Sequence, residues 1–542
     1  MPLEERWIPM HLKQGGYVCG AFGKWHETAV WEISPSGPFD RWPSGEGFNH
    51  AYTFMAADVH QFIPVMWNDH WPEAYRETEH LDKDLADRAI QWITGHKSIK
   101  PDLPFMMLWA SGSMHSPHHA PDSYIDKYKG KFDKGWDAVR EETLKNQKAK
   151  GTVPQDAELT DYPEGVGPWD ELDDTRKKVF ARLMETFAGF AEHTDAQVQR
   201  LIDAMVDIGV YDDTLFIYIA GDNGSSAEGG LDGTFNELMT LNGLPQELDD
   251  FAARLDEVGS ITAFNHYPVG WAWAMNTPFQ YTKQVASHWG GTRNATAVSW
   301  PKGFKAKGEI RSQWHHVIDI VPTILEAANL PEPYMVNGIA QKPIEGVSMG
   351  YTFDDPEADE RHLTQYFEIF GNRGLYHEGW TAVTRHSLPW IQRKWPSFDA
   401  DEWELYDLRA DPGEQHNLMV DPSPEAEALG ARYDAELRRV AAEVEDLVKR
   451  EPNVSLTSLI GGESRQLEVR LDPVRLEGFA LDAAKVLDLI SMANQAADTG
   501  SYPPREGQII IHTGGFLQTV EDVKNVVISA HNGKPVYLRD VA

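Results

Sequence analysis

The stretch TLFIYIAGDNGSSAE, Thr214 to Glu228, decides how this chain is read. Its residues from Leu215 to Gly221 are nearly all apolar, β-branched or aromatic, and they stop abruptly at Asp222-Asn223-Gly224-Ser225-Ser226. That pattern predicts a buried strand that delivers its polar residues at its carboxyl end. A strand apolar at successive positions is covered on both faces, which favours a parallel sheet flanked by helices. In open α/β sheets the chemistry lies outside the carboxyl ends of such strands, so Asp222 and Asn223 are aimed at a site. An Asp followed by an Asn offers two hard oxygen ligands on one tight turn, suited to Ca²⁺ or Mg²⁺. The alternative is a polar turn after a core strand.

Composition narrows the partners. With 84 acidic against 49 basic residues the formal charge is −35, which argues against nucleic acid, whose phosphates need a basic surface. It equally disfavours an anionic membrane. An anionic small molecule would have to be held by a local cluster of Lys, His or metal against the general field. A single cysteine, Cys19, excludes an internal disulfide and any cysteine-rich metal site. No apolar run approaches the roughly 18 to 20 residues that span a bilayer, so no membrane span is expected. The first residues lack a basic stretch followed by an apolar one, so a cytoplasmic location is the default, and a periplasmic one follows if residues precede Met1. Oligomeric state cannot be read from these features.

Working outward, Tyr17 to Phe22 reads as a short strand, with Lys24 and His26 two apart beyond it and able to share a face. Residues 79–98 place Leu85, Ala89, Ile90 and Ile93 at helical spacing. Pro104 to Ala110 is a second strand, ending in Ser113-Met114-His115-Ser116-Pro117-His118-His119. Strand, helix, strand is the βαβ rhythm. Residues 123–176 read as an irregular excursion, and residues 176–209 as a long helix with Val179, Leu183, Phe187, Phe190, Val198, Leu201, Ile202 and Met205 on one face. Residues 229–280 show little periodicity, as loops on a substrate side do. Ala295 to Trp300 reads as a strand, His315 to Leu325 as a helix, residues 380–410 as a small antiparallel sheet, and residues 424–450 as a charged helix.

The blocks F-G-K-W-H (22–26), H-S-P-H-H-A-P (115–121), G-D-N-G-S-S-A-E-G-G (221–230), Lys283 with H-W-G-G-T-R-N (288–294), H-H-V-I-D-I-V-P-T-I-L (315–325) and W-E-L-Y-D-L (403–408) together resemble the arylsulfatases of the alkaline-phosphatase superfamily. The resemblance covers residues 10–440 in unbroken order. It implies an alkaline-phosphatase-like sandwich: a mostly parallel sheet between helices in a catalytic domain (residues 1–350), then a small antiparallel C-terminal subdomain (residues 351–450). It also implies a metal site at Asp222 and Asn223, usually for Ca²⁺, with Mg²⁺ as the alternative. Lys24 and Lys283 would contact sulfate oxygens, His115 would protonate the leaving oxygen, and His26 would orient the nucleophile. The chemistry explains these types, because lysines and a metal stabilise charge spread over equatorial oxygens while an imidazole supplies a proton near neutral pH. Beside these roles stand plainer ones: Lys24 as a solvated lysine, His118 and His119 as loop lining, His315 and His316 as helix cap or packing, and Trp25 and Trp289 as packing.

In that family the nucleophile is a cysteine or serine, converted to formylglycine within C/S-x-P-x-R, and two adjacent aspartates complete the metal site. Both precede the F-G-K-W-H block, where this sequence has no room for them, and Cys19 lacks the motif. The expectation is a chain without a nucleophile, inactive alone, whose sheet lacks one central strand and leaves an apolar edge. Residues 451–542, with V-R-L-D-P (469–473), T-G-G-F-L (513–517) and G-K-P-V-Y-L-R-D-V-A (533–542), resemble part of the porter domain of RND efflux transporters, implying a ferredoxin-like α/β tail with a helix over 482–497 and a strand over 508–513. The junction is expected near residues 443–452, as in a fused reading frame. The expected function is sulfuric ester hydrolysis of a small-molecule sulfate ester. The alternatives are phosphate or phosphonate ester hydrolysis, or a non-catalytic remnant joined to a transporter fragment.

Overall fold

The computed structural model describes residues 5–420 except 75, 76, 78, 222 and 392–396. Beyond these it describes residues 422–424, 426, 428–430, 432, 469, 471–479, 481–493, 495–502, 509–515, 523–531 and 534–541. The chain falls into two compact units, Met1–Ile460 and Gly461–Ala542.

In the first unit α1 (Ile8–Gln14) leads into β1 (Val18–Lys24), β2 (His50–Phe54) and the two-residue strands β3 (Trp67–Asn68) and β4 (Trp71–Pro72). Helix α2 (Leu81–Ile99) then crosses to β5 (Phe105–Ala110). The sheet runs β4-β3-β2-β1-β5, with β2, β1 and β5 parallel and the two short strands antiparallel. Alternation along β1 divides the core. Phe22 faces α2 and α5 (Asp174–Asp207), among Tyr52, Phe54, Leu81, Leu85, Ala89 and Leu201. Cys19 and Ala21 face the opposite layer, with Ile8, Leu12, Trp42 and Leu325. Each such buried aromatic or leucine contributes roughly 1.5–3 kcal/mol, so both helical layers are held by side chains and not by helix propensity. The α5 face read from the sequence is the buried one, and Asp173 caps its first turn by accepting from the Arg176 amide.

Two segments depart from expectation. Within the supposed irregular stretch, after the single turn α3 (Asp122–Ile125), Gly135–Lys150 is a sixteen-residue helix, α4. Its buried face is Trp136, Arg140 and Leu144, spaced four apart. The middle member is charged, so hydropathy conceals the stripe; Arg140 is buried over the Trp273 ring at 3.5 Å and donates to Thr160. Residues 229–280 contain α6 (Glu237–Leu241), α7 (Leu248–Ala252) and α8 (Val269–Met275). Nearly all of α8 is buried, so it has no polar face from which a period could be read.

The decisive stretch does form a strand, β6 (Phe216–Ala220), but not a fully covered one. It pairs antiparallel with β7 (Ala295–Ser299), which follows the short helix α9 (Trp289–Thr292), and in the described residues it is not part of the β1–β5 sheet. Phe216, Ile217 and Tyr218 are half-buried, Ile219 is 37% exposed and Ala220 is exposed. All six residues of β5, at its sheet's edge, are half-buried as well. The main sheet is therefore mixed, not mostly parallel: an apolar run fixes that a strand forms, not which strand it pairs with.

Downstream, a 3₁₀ turn at Val317–Asp319 replaces the first turn expected of the 315–325 helix, which starts as α10 (Ile320–Ala327). His315 and His316 cap it together with Asp319, whose buried carboxylate accepts from the His316 amide and from the His315 and His362 rings. A short hairpin, β8 (Met335–Val336) and β9 (Ile339–Ala340), precedes β10 (Thr364–Ile369), β11 (Asn372–His377), β12 (Trp380–Thr384) and β13 (Glu404–Asp407), the antiparallel sheet expected here.

The second unit has helices at Pro473–Gly478 and Ala483–Ala493 and two antiparallel hairpins, β14 (Gln495–Tyr502) with β15 (Ile509–Gly515) and β16 (Val527–His531) with β17 (Lys534–Tyr537). The helix expected to reach residue 497 ends at Ala493, because Gln495 onward pairs with β15. In the described residues the hairpins form separate two-stranded sheets rather than the single sheet of a ferredoxin-like unit. The charged helix at 424–450 lies largely, and the junction at 443–452 wholly, outside the described residues.

Two outcomes follow. His80, His118 and His119 are buried, and burial pushes the His80 imidazole down to about 4 and that of His119 to about 3. These rings stay neutral in the folded chain, whereas unfolded histidine takes up a proton below about 6.5. Stability is therefore lost as pH falls through 6.5, by on the order of 2 kcal/mol for each of His80 and His119 between pH 7 and 5. Urea midpoints at the two pH values measure it; equal midpoints would contradict it. At Gly224 a Cβ would stand 1.7 Å from the Gly290 carbonyl oxygen, so Gly224→Ala is expected to cost about 1–3 kcal/mol, read from the same urea curves.

Candidate functional site

Strands β1 and β5 run parallel with Gly23 opposite Ala110, so Lys24 and the loop carrying His115 leave the sheet at the same carboxyl edge. Lys24, the last residue of β1, is half-buried; His26 is exposed two residues on. The His115 ring donates its Nδ1 proton to the Ser116 carbonyl at 2.9 Å, which leaves Nε2 for exchange with a ligand. The loop is fixed beneath it: Ser111 and Ser113 both donate to the buried Asp82 carboxylate, and the His118 amide donates to the Asn265 carbonyl at 3.0 Å.

The turn after β6 is stitched to a distant segment. The Gly224 amide donates to the Gly291 carbonyl at 3.0 Å, the Ser225 amide to Asn276 Oδ1 at 3.0 Å, and the Lys283 amide to the Ser225 carbonyl at 3.0 Å. Asp222 lies outside the described residues; Asn223 is half-buried on this turn. Lys283 is thereby fixed three residues from Asp222 by a peptide-to-peptide bond. Its Nζ reaches Glu228 Oε2 at 3.2 Å, while Gln284 donates to Glu228 Oε1 at 3.0 Å and Ser226 Oγ to Oε2 at 2.9 Å. Burial works to raise the Glu228 carboxyl, but Lys283 and Ser226 outweigh it and hold it below the ordinary value, with His115 adding to the effect.

Beside Glu228 stand Glu237 and His266, both buried. Paired backbone holds them: Thr234 and His266 exchange amide-to-carbonyl bonds at 3.0 Å, and the Glu237 amide donates to the Phe264 carbonyl at 2.9 Å. Burial pushes the Glu237 carboxyl up to about 7, against a hydrogen bond from Ser116. His266 is pushed down to about 4 by burial, and its Nδ1 proton goes to the Tyr267 carbonyl at 2.9 Å.

Of the sequence-derived residues, the structure therefore brings His115 and Lys283 together, both within electrostatic reach of Glu228 and His266. It places Lys24 at the edge shared with the His115 loop, and gives Lys24 and His26 no side-chain hydrogen bond or ion pair to other described residues. Sequence reading missed Glu228, Glu237 and His266. Glu228 sits inside the G-D-N-G-S-S-A-E-G-G block, which is the signal for it; Glu237 and His266 sit in segments with no local pattern. Trp25 and Trp289 are buried and packed against other aromatic rings, as expected. Burial pushes the Cys19 thiol up to about 12, so it is no nucleophile. The buried group His80, Asp82 and His193 is structural: His80 accepts the Asp82 amide on one nitrogen and donates to the His119 carbonyl with the other, and Asp82 accepts from Ser111, Ser113 and Thr194.

Comparison with known proteins places the chain in a family. The sulfatase family model matches residues 2–330, the model of the N-sulphoglucosamine sulphohydrolase C-terminal region matches residues 288–443, and that of the AcrB/AcrD/AcrF family matches residues 430–542. The chain is 25% identical over 433 residues to an uncharacterized sulfatase of Schizosaccharomyces pombe, covering 76% of this chain and 73% of that protein. It is 26% identical over 345 residues to an arylsulfatase of Klebsiella aerogenes, covering 61% and 69%. The tail is 36% identical over 92 residues to the cation efflux system protein CusA of Escherichia coli, 17% of this chain but 9% of that one. Among solved structures, the yidJ protein of Bacteroides fragilis, described as a sulfatase, has the same fold at a TM-score of 0.50 and 17% identity, over 81% of this chain and 77% of that one. The chain belongs to the sulfatase family of the alkaline-phosphatase superfamily and carries a C-terminal segment of the AcrB/RND type.

Proposed function

We propose that the carboxyl edge formed by β1, β5 and the turn after β6 is a sulfate-ester site, with Lys24, Lys283, His26 and His115 as its catalytic and substrate-binding residues. Family membership implies sulfate ester hydrolysis, and the observation that carries the assignment is Lys283, fixed to the Asp222 turn through Ser225 and within reach of His115's surroundings. An ammonium about 4 Å from a sulfate oxygen is worth on the order of 4 kcal/mol near a protein surface, which is the attraction an anion needs on a chain of charge −35. Lys283 supplies it from a fixed backbone, and Lys24 from the end of β1. With its Nδ1 proton committed to Ser116, His115 delivers a proton to the leaving oxygen through Nε2. His26, past the end of β1, is free to orient an attacking group.

The family's divalent cation, Ca²⁺ or Mg²⁺, would be held by Asp222 and Asn223. The donors fit in kind, both being hard oxygens on one turn; in number they are two of the roughly six to eight that Ca²⁺ takes. When bound, the cation supplies charge neutralisation at the sulfate oxygens.

The described side chains around Lys283 and His115 include the hydroxyls of Ser113, Ser116, Ser225 and Ser226, none of them in a C/S-x-P-x-R run. The run Ser501-Tyr502-Pro503-Pro504-Arg505 has that spacing, but it lies in the segment matched by the transporter family. The 542-residue chain is therefore expected to bind the anion and to release no 4-nitrophenol from 4-nitrophenyl sulfate or 4-nitrophenyl phosphate with Ca²⁺ present. Turnover that disappears in Asp222→Ala would overturn the inactivity. For binding, calorimetric titration with inorganic sulfate is expected to show affinity reduced about tenfold or more in Lys283→Ala, the equivalent of roughly 1.4 kcal/mol. Unchanged affinity in that variant would remove the assignment.

A further inference from the structure

The molecule holds a second constellation suited to an ion, distinct from the Asp222–Asn223 turn. Ligand-capable atoms of Glu228, Glu237 and His266 lie within 4.8 Å of one another. Glu237 and His266 are carried by backbone segments that are hydrogen-bonded together, and Glu228 by a segment that runs close against them. Residues 234–237 pair with residues 264–266, and Gly229, next to Glu228, runs so close that a Cβ there would meet the Tyr267 carbonyl oxygen at 2.0 Å. The ligand atoms are thus positioned by main chain, the arrangement a preorganised metal centre needs.

The histidine chemistry points the same way. A carbonyl can only accept, so the His266 Nδ1 bonded to the Tyr267 carbonyl carries the proton, and Nε2 keeps its lone pair. Metal-binding imidazoles are held in this way, one nitrogen donating to a backbone carbonyl and the other left for the ion. A second histidine gives an independent indication. His118 is fully buried, neither of its ring nitrogens has a hydrogen-bond partner among the described residues, and its ring packs on that of His266 at a centroid distance of 4.6 Å. Burying an imidazole with both nitrogens unsatisfied is costly, which marks this corner of the molecule as one whose polar groups are not all satisfied by the described protein atoms. Glu228 has capacity to share: its oxygens accept three bonds, from Lys283, Gln284 and Ser226, of the roughly four that a carboxylate accepts.

We infer that Glu228, Glu237 and His266, with His118 beside them, form a binding site for a divalent transition-metal ion of the zinc type. One imidazole nitrogen with two carboxylates suits a borderline ion and is a poor match for Ca²⁺, which takes oxygen throughout. The site uses neither Asp222 nor Asn223 and is therefore distinct from the family's metal position, although Glu228 also pairs with Lys283.

The test is zinc retention by the full chain. Parent protein, Glu237→Gln, His266→Ala and Asp222→Ala are loaded with ZnCl₂, dialysed, and analysed for bound metal by mass spectrometry, with circular dichroism as the check on folding. Competition against a chelating dye gives the affinity. The expected result is one zinc per chain in the parent and in Asp222→Ala, with affinity weakened about a hundredfold or more in Glu237→Gln and His266→Ala. No retained zinc in the parent, or equal retention in all four proteins, overturns the site. Should either ligand variant fail to fold, zinc-edge X-ray absorption on the loaded parent decides. Imidazole and oxygen scattering at about 2.0–2.2 Å supports the site, and a spectrum without imidazole overturns it. Sulfate affinity is read in Lys283→Ala and zinc retention in Glu237→Gln and His266→Ala, variants that leave Lys283 in place, so the two readings fail separately.

Discussion

The two backbone hydrogen bonds and the one from the Ser225 amide to the Asn276 side chain that tie the turn after β6 to residues 276–291 are the constraint on which the rest of the candidate site depends. They join parts of the chain some sixty residues apart at a place with no room for side chains. Gly224 faces Gly290, while Gly290 and Gly291 in turn lie against the carbonyls of Gln280 and Val285. Close approach of this kind lets peptide groups, rather than flexible side chains, set the position of Lys283. A lysine placed by its own main chain loses less conformational freedom on meeting an anion than one that must be recruited from the surface. The run of glycines thus explains how a long side chain on a loop becomes a reproducible charge.

Charge on this molecule is arranged by contrast. The chain as a whole repels anions, and the buried imidazoles of His80, His118, His119 and His266 are kept neutral by burial and add no positive charge. The ammonium held at the turn is that of Lys283, and Lys24 stands at the carboxyl end of β1. Attraction is therefore short-ranged and local, effective over about a Debye length, roughly 8 Å at physiological ionic strength. A small oxyanion that fits between fixed donors gains from this arrangement; a polyanion that must also cover the surrounding acidic surface does not.

Periodicity made part of this legible. The face of α5 could be read because Val179, Leu183, Phe190, Val198 and Leu201 repeat at helical spacing, and β1 and β5 because apolar runs end in polar loops. Helix α4 could not, since the middle of its buried stripe is Arg140, a charge compensated by Thr160 and the Trp273 ring that lie far away in sequence. The pairing of β6 with β7 was hidden for a related reason: a strand's composition records burial, and its partner is chosen by the whole sheet. In the site, His115 and Lys283 stood out because they lie in blocks with a family pattern. Glu237 and His266 have no such neighbourhood. Their juxtaposition arises from the pairing of residues 234–237 with 264–266, a tertiary fact without a local signature.

Glu228 joins the two halves of this arrangement. One carboxylate accepts from Lys283, the proposed oxyanion contact, and stands within ligand distance of Glu237 and His266, the proposed ion site. An ion that draws electron density from Glu228 weakens its hold on Lys283, and an anion that engages Lys283 leaves Glu228 with charge to offer. If binding at one place alters affinity at the other, linkage makes the factor the same whichever is filled first. The sign is set by electrostatics: a cation and an anion on opposite sides of one ion pair favour each other, because each takes the partner that the other releases. With Lys283 fixed at its amide and Glu228 held by Ser226 and Gln284, such an exchange would need side-chain motion and no rearrangement of the fold.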